Sequence, residues 1–482
     1  MGDPLLPVSP PPRALVSDYP SWVEPLDALE TLRGRRHPAL LLSALEGHPS
    51  SRFSILACDP PLVVALRGGE ATLAWAESGR REDRRVVRDP FDLLRALAPA
   101  AAVESVEGLP FAGGAIGYLG YGLRRSVESL PGDRSAPLGH PDAWFGLYDS
   151  AVVFDHTERR VVILSVGLGS GDDGRRRARA RERLGDLRRC LERASLPTEG
   201  RRTPVASPRQ SALFATPREE HLRRVARALD YIAAGDLYQV NLSHRIECPF
   251  EGDPIALFQE LSRRNPAPFA AYLDAGPFQI VCASPERFVS LRDGAALSSP
   301  IKGTRPRGAD AASDERLARD LARSAKDRAE NVMITDLVRN DLGRVCEPGS
   351  VRVEKLCALE SFTTVHHLVS TVGGRLRPDR DRADLLRALF PGGSMTGAPK
   401  VRAMQVLDEL EEEERGVYSG GIGYLSFDGG LDFNIVIRTI LCASGRAHLR
   451  VGGGIVADSD PEEEYRETLD KARALLEVLG AG

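Results

Sequence analysis

After Val166 the chain changes texture. Gly-Ser-Gly-Asp-Asp-Gly leads into a charged run from Arg175 to Arg193, and a Pro/Ser/Thr-rich stretch from about Leu196 to Ser211 follows. Leu184, Leu187 and Leu191 recur at helical spacing inside the run, so it reads as a solvated helix. The stretch after it has the composition of a linker. Any fold must therefore join a smaller N-terminal part to a larger C-terminal one, and we divide the chain into 1–170, 171–213 and 214–482. Strand-like segments, Val152 to Phe154 and Val161 to Val166, precede the break; helical and strand patterns alternate beyond it. No internal repeat is visible. At 482 residues the chain can hold two or three average domains or one large two-layer enzyme.

Several partner classes drop out on composition. The formal net charge is −4 and the basic residues are spread along the chain, which excludes a nucleic-acid footprint. Cys58, Cys190, Cys248, Cys282, Cys346, Cys357 and Cys442 are odd in number, widely spaced and free of any C-x-x-C pair, as reduced core thiols are. The N-terminus is proline-rich and acidic, and no apolar run approaches the roughly 20 residues of a membrane span. The expectation is a cytoplasmic enzyme with no membrane or nucleic-acid partner.

Of the 64 basic residues only five are lysines, Lys302, Lys326, Lys355, Lys400 and Lys471, which leaves 59 arginines. Arginine stays protonated in any protein environment, whereas an amine can lose its proton and attack carbon. Lys302, in Pro300-Ile301-Lys302-Gly303-Thr304, thus invites a nucleophilic reading. Genome base composition also produces arginine bias, so the argument gains weight only from the company Lys302 keeps.

That company includes two acidic helix faces. Helical periodicity from Asp327 to Leu337 puts Asp327 and Glu330 on one face, one turn apart. A second helix starts at Asp460-Pro461, with Asp460 as N-cap, Glu463 completing a capping box, and Glu464, Glu467 and Lys471 sharing a face. An exposed Glu467–Lys471 ion pair, worth about 0.2–0.5 kcal/mol to its helix, accounts for that face by itself. Carboxylates without cysteine or histidine neighbours also suit Mg²⁺. Glu411 to Glu414 end a helix that begins near Lys400 and read as a solvated face.

Between these helices lie the glycine-rich segments Phe390 to Lys400 and Val451 to Val456, neither of which matches a phosphate-binding loop. Glycine lets backbone N–H groups approach a carboxylate, and Arg438, ending an apolar strand from Phe433 to Ile437, offers a bidentate fork for another. A small, multiply carboxylated substrate would use both. His367, judged alone, reads as a packed core histidine.

Ordered blocks along most of the chain resemble the chorismate-utilising enzymes. They include Ala234 to Ser243, Ser284 to Phe288, Pro300 to Thr304, Glu330 with Arg339-Asn340-Asp341, the Ser394 loop, Tyr418 to Tyr424, Arg438-Thr439 and Gly452 to Lys471. Leu41-Leu42-Ser43, His48-Pro49 and Ser51-Arg52-Phe53 fit in the N-terminal part. The resemblance implies an α+β fold, two large antiparallel sheets packed as a sandwich with flanking helices and interleaved N- and C-terminal parts. It makes 1–170 the anthranilate synthase component I-like region and 214–482 the chorismate-binding region.

Two positions subdivide the family. Anthranilate synthases typically read Pro-Ile-Ala-Gly-Thr, whereas the aminodeoxychorismate-forming branch carries a lysine at the position of Lys302. In isochorismate and salicylate synthases a lysine activates water where this chain has Gln239, which cannot act as a base. The resemblance therefore implies amination of chorismate to 4-amino-4-deoxychorismate, in p-aminobenzoate and folate biosynthesis. It casts Lys302 as covalent nucleophile and Glu286 as general acid. Mg²⁺ would be held by Glu330 and Glu467 with Asp327 and Glu464 in support, while desolvation, the metal and Arg438 lower the Lys302 pKa. Gly303, Thr304, His367, Ser394, Tyr418, Arg438, Gly452, Gly454 and Lys471 would line the substrate pocket. No segment reads as a glutaminase, so ammonia would come from a separate amidotransferase subunit or from ammonium in solution; the resemblance implies the former, in a heterodimer. The N-terminal part resembles the region that binds tryptophan in these enzymes, with Ser43 at that pocket. Leu42 stands where feedback-regulated anthranilate synthases usually have an acidic residue. Anthranilate synthase is the nearest alternative activity, and a catalytically idle ligand-sensing or scaffold subunit the remote one.

Overall fold

The computed structural model describes residues 13–45, 47–76, 82–99, 102–131, 138–169, 172–196, 212–362 and 365–481. Most of the stretch read as a linker lies outside the described residues. The sequence pattern dictates two faces per strand, and the strands use both. In Ser150–Asp155 and Arg160–Ser165, Val152, Phe154, Val161 and Ile163 pack with the flanking helices. Their alternates Ala151, Val153, Val162 and Leu164 pack inward with Ile116, Tyr118 and Ile422. Period-two alternation between two apolar environments is what a strand buried on both faces requires.

The result is two 12-stranded sheets, antiparallel at each described pairing. Each draws strands from both sides of the charged run. In the first, Ala39–Leu42 pairs with Phe269–Asp274; in the second, Gly114–Leu119 pairs with Gly421–Ser426. One apolar layer fills the space between the sheets and two others lie beneath the outer helices, as the sandwich expectation required.

The charged run forms the helix Asp173–Ala194, capped by the Asp172 carboxylate accepting from Arg175 N–H. It is less solvated than its composition suggests, because Ala180, Leu187, Cys190 and Leu191 are buried against the first sheet. The helices Ala325–Gly343 and Pro461–Val478 also form. Asp460 caps the latter by accepting from Glu462 and Glu463 N–H, worth about 1 kcal/mol; the return bond of a capping box is not formed. All seven cysteines are buried and unpaired. No helix among the described residues is long and apolar enough to cross a membrane.

Candidate active site

Lys302 is the second residue of the strand Ile301–Pro306, at the edge of the second sheet opposite Leu368. Its amine reaches across to Gly454, in the strand Arg446–Ile455 of the first sheet. A Cβ at position 454 would come within 3.1 Å of Lys302 Nζ and 2.4 Å of Gln239 Nε2. Gln239 opens the strand Gln239–Pro249 and donates from Nε2 to Glu330 Oε2 at 3.2 Å. The bare glycine run is therefore the floor of a cleft, not a turn. Residues Gly452 to Gly454 face Ser243 to Asn241 across a regular ladder, and Lys471 Nζ donates to Gly452 O at 2.9 Å.

Burial pulls the Lys302 ammonium below its ordinary value against the opposing charge of Glu330. The cation that adds most to the lowering is Lys471, not the Arg438 expected from sequence. Glu286, almost fully buried, is pushed up to about 7 by desolvation, although the Ser394 hydroxyl donates to its Oε1 at 2.7 Å. A buried acid near neutrality beside an amine with a lowered pKa is an arrangement able to move protons at physiological pH.

The remaining pocket residues are held by the same few elements. Thr304 Oγ1 and His367 Nδ1 lie 2.9 Å apart, and burial with the Arg438 charge holds His367 down at about 4. Gly303 has φ +81°, and Asp327 Cβ would lie 2.9 Å from a side chain there. Tyr418 is pushed up to about 12 by burial. Arg438 lies beyond the end of its strand, which closes at Ile435, and has the left-handed φ of 50°, uncommon for a non-glycine residue. Among the described residues its guanidinium makes no hydrogen bond or ion pair, while burial lowers its pKa. An arginine left unpaired in this way has its bidentate fork free for a carboxylate.

A model of the chorismate binding enzyme family matches residues 55–477. The chain belongs to that family. It is 43% identical over 436 residues, 90% of each chain, to an aminodeoxychorismate synthase component 1 from Salmonella typhimurium. It is 45% identical over 402 residues to an anthranilate synthase component 1 from Streptomyces coelicolor, covering 81% of this chain and 77% of that one. The crystal structure of anthranilate synthase component I from Streptococcus pneumoniae superposes with a TM-score of 0.76 at 35% identity, over 89% of this chain and 93% of that one. The protein is thus a chorismate-utilising enzyme of two-sheet architecture.

For a chorismate-binding enzyme the acidic helix faces invite a test for a metal. Burial raises the carboxyls of Glu330 and Glu464, and charge from Asp327 and Glu467 adds to the first. Glu464 Oε1 accepts from Ser459 Oγ at 2.6 Å, but its buried Oε2 has no partner and lies 2.8 Å from where a Gly453 Cβ would stand. No cage of three or more His, Cys, Asp or Glu side chains occurs among the described residues. Mg²⁺ needs only one or two carboxylates, keeping waters otherwise, so this donor set fits it. Asp327 is committed elsewhere, accepting from Arg305 at 2.9 Å. Glu467 and Lys471 do form the expected ion pair, at 2.6 Å with the glutamate about half exposed.

Ser43 stands apart from this cluster. It lines a cavity of about 180 Å³ between the sheets, with Arg52, Phe269, Tyr424 and Asp432, and its hydroxyl donates to Phe53 O at 2.8 Å. The expectation of a solvated Glu411–Glu414 face is corrected. The helix ends at Leu410, after which Glu411, Glu414 and Arg415 are buried. Glu414 pairs with Arg124 at 2.6 Å, and Glu411 accepts from both ends of the Arg415 fork at 2.8 Å. A run of four acids gives no hint of which two turn inward; only the Glu411 to Arg415 spacing of four carried that signal.

Proposed function

We propose that the protein is an aminodeoxychorismate synthase component I, aminating chorismate to 4-amino-4-deoxychorismate through a covalent adduct on Lys302. The observation that carries this reading is Lys302 itself, whose partly desolvated amine meets Gln239 over Gly454 and is flanked by Glu286 and Glu330.

Arg438 and Lys471 would bind the two carboxylates, with Tyr418, Thr304, His367 and the backbone of Gly303, Gly452 and Gly454 enclosing the ring. Neutral Lys302 forms a bond to C2 as the C4 hydroxyl departs, and Glu286 gives that oxygen its proton, releasing water. Ammonia then bonds to C4, the C2–N bond breaks to restore the free amine, and Glu286 recovers its proton from the new ammonium group. Gln239 has no basic form, so it activates no water in competition. Mg²⁺ held by Glu330 and Glu467, with Glu464 in support, would supply a Lewis-acid anchor for the ring carboxylate.

Ammonia would come from a separate amidotransferase subunit, a reading supported by the relatives' designation as component 1. The Ser43 cavity is proposed as the counterpart of the tryptophan pocket. The second reading is anthranilate synthase, favoured by the 45% identity to the Streptomyces coelicolor relative. The deciding test incubates the protein with chorismate, Mg²⁺ and ammonium. An aminated product retaining the enolpyruvyl group is expected from the wild type and should vanish in Lys302→Ala. Anthranilate with pyruvate, or an active Lys302→Ala variant, would refute the proposal.

A further inference from the structure

Arg415 has no part in the chemistry just described, yet its guanidinium is the most heavily bonded group behind the catalytic cleft. Its side chain is 1% exposed. One nitrogen donates to Met395 O at 2.7 Å and Ser419 Oγ at 3.1 Å; another donates to Asn241 O at 2.5 Å. The remaining donors are held by Glu411. The ring of Tyr121 covers its face at 4.7 Å. Glu411 is in turn pinned by Ser243, which donates to it from both backbone N–H and hydroxyl at 2.8 Å. Burial alone would favour the neutral acid, but Arg415 and Arg450 overcome it and hold Glu411 down at about 2. The fork thus stays charged and fixed at any working pH.

The segments it ties together bear on the proton donor. Met395 follows Ser394, whose hydroxyl donates to Glu286 Oε1 at 2.7 Å and whose carbonyl accepts from Asn241 Nδ2 at 3.2 Å. Both anchors of the Ser394 turn, Met395 O and Asn241, therefore end on one guanidinium. We infer that Arg415, locked by Glu411, is a positioning residue that sets the Ser394–Glu286 hydrogen bond and through it the protonation of the catalytic acid. This rests on the reading of Glu286 as proton donor.

The inference has a signature that lost folding cannot imitate. Ser394 favours the ionised carboxyl, so freeing its turn raises the pH at which Glu286 loses its proton. The alkaline limb of kcat/KM would then move upward by about one pH unit. Ser394→Ala should move it directly. Arg415→Lys, which keeps the charge but cannot make the fork, should move it the same way and lower kcat about 10- to 100-fold. The double variant should move it no further than Ser394→Ala alone. If Ser394→Ala moves the limb and Arg415→Lys lowers activity without moving it, the inference is overturned. An immobile limb in Ser394→Ala would instead sink the Glu286 reading and take the inference with it. Should Arg415→Lys fail to fold, Glu411→Gln, which loosens the fork and keeps its volume, must give the same direction of movement or overturn the claim.

Discussion

Gly454→Ala isolates the placement of the Lys302 amine from the rest of the fold. The added Cβ would stand 2.4 Å from Gln239 Nε2 and 3.1 Å from Lys302 Nζ. Van der Waals contact needs about 3.5 Å, so the amide must retreat by roughly 1 Å and the amine by a few tenths. Both atoms end flexible side chains, so the backbone has no cause to move, and losing a strand glycine stabilises by up to about 0.5–1 kcal/mol. The damage should therefore fall on rate. Since a misplacement of about 1 Å costs about 100-fold, an amine displaced by a few tenths loses roughly 4- to 10-fold, or about 1 kcal/mol of barrier. The assay pairs kcat/KM for chorismate at saturating ammonium with thermal melting; activity should fall roughly 4- to 10-fold while Tm stays within about 2 °C. Gln239→Ala in the same chain makes room for the methyl group, and most of the loss should return. Unchanged kcat/KM in Gly454→Ala would refute the geometry, and a large fall in Tm would refute the claim that only side-chain ends are met.

Three further outcomes follow from the site. Glu286 is at about 7 folded against 4.5 ordinarily, so the folded state favours its protonated form. The stability it contributes is full below about pH 4.5 and is lost as pH rises through 7, about 3 kcal/mol in all. Permanently neutral Glu286→Gln should gain that amount on the wild type between pH 4.5 and 8, read from urea midpoints, and an equal difference at both pH values would refute it. Arg438→Lys should raise the chorismate KM about 10- to 100-fold by loss of bidentate pairing, and an unchanged KM removes the carboxylate role. Calorimetric Mg²⁺ titration without substrate should show at least tenfold weaker binding in Glu330→Gln, and wild-type binding there would exclude Glu330 as ligand.

How much of this was legible in the sequence depended on whether the signal was local. The helix ending at Ala194 and the two acidic helices were readable because periodicity and capping residues lie within one segment. The expected pocket residues sit in separate short blocks, and it was the resemblance, not periodicity, that grouped them. What no local pattern carried was the partner across the cleft. Lys302 and Gly454 are 152 positions apart and meet because one sheet delivers its edge strand against a glycine run of the other; the opposing amine and amide explain why a side chain is excluded there. Arg438 was expected to depress the Lys302 pKa because both are cationic members of one site. Yet Lys471, anchored on Gly452, is the cation that lowers it most, while Arg438, in a left-handed bend, has no hydrogen-bond or ion-pair partner among the described residues. The same reasoning explains the misread glutamates. Composition places four consecutive acids in water, but burial is decided by what waits opposite, and here Arg124 meets Glu414 while Arg415 and Arg450 meet Glu411. A buried ion-pair network of that kind is weak support for stability and far better support for geometry, because breaking either partner strands a charge. Its place behind the acid, not its strength, is what makes it part of the function.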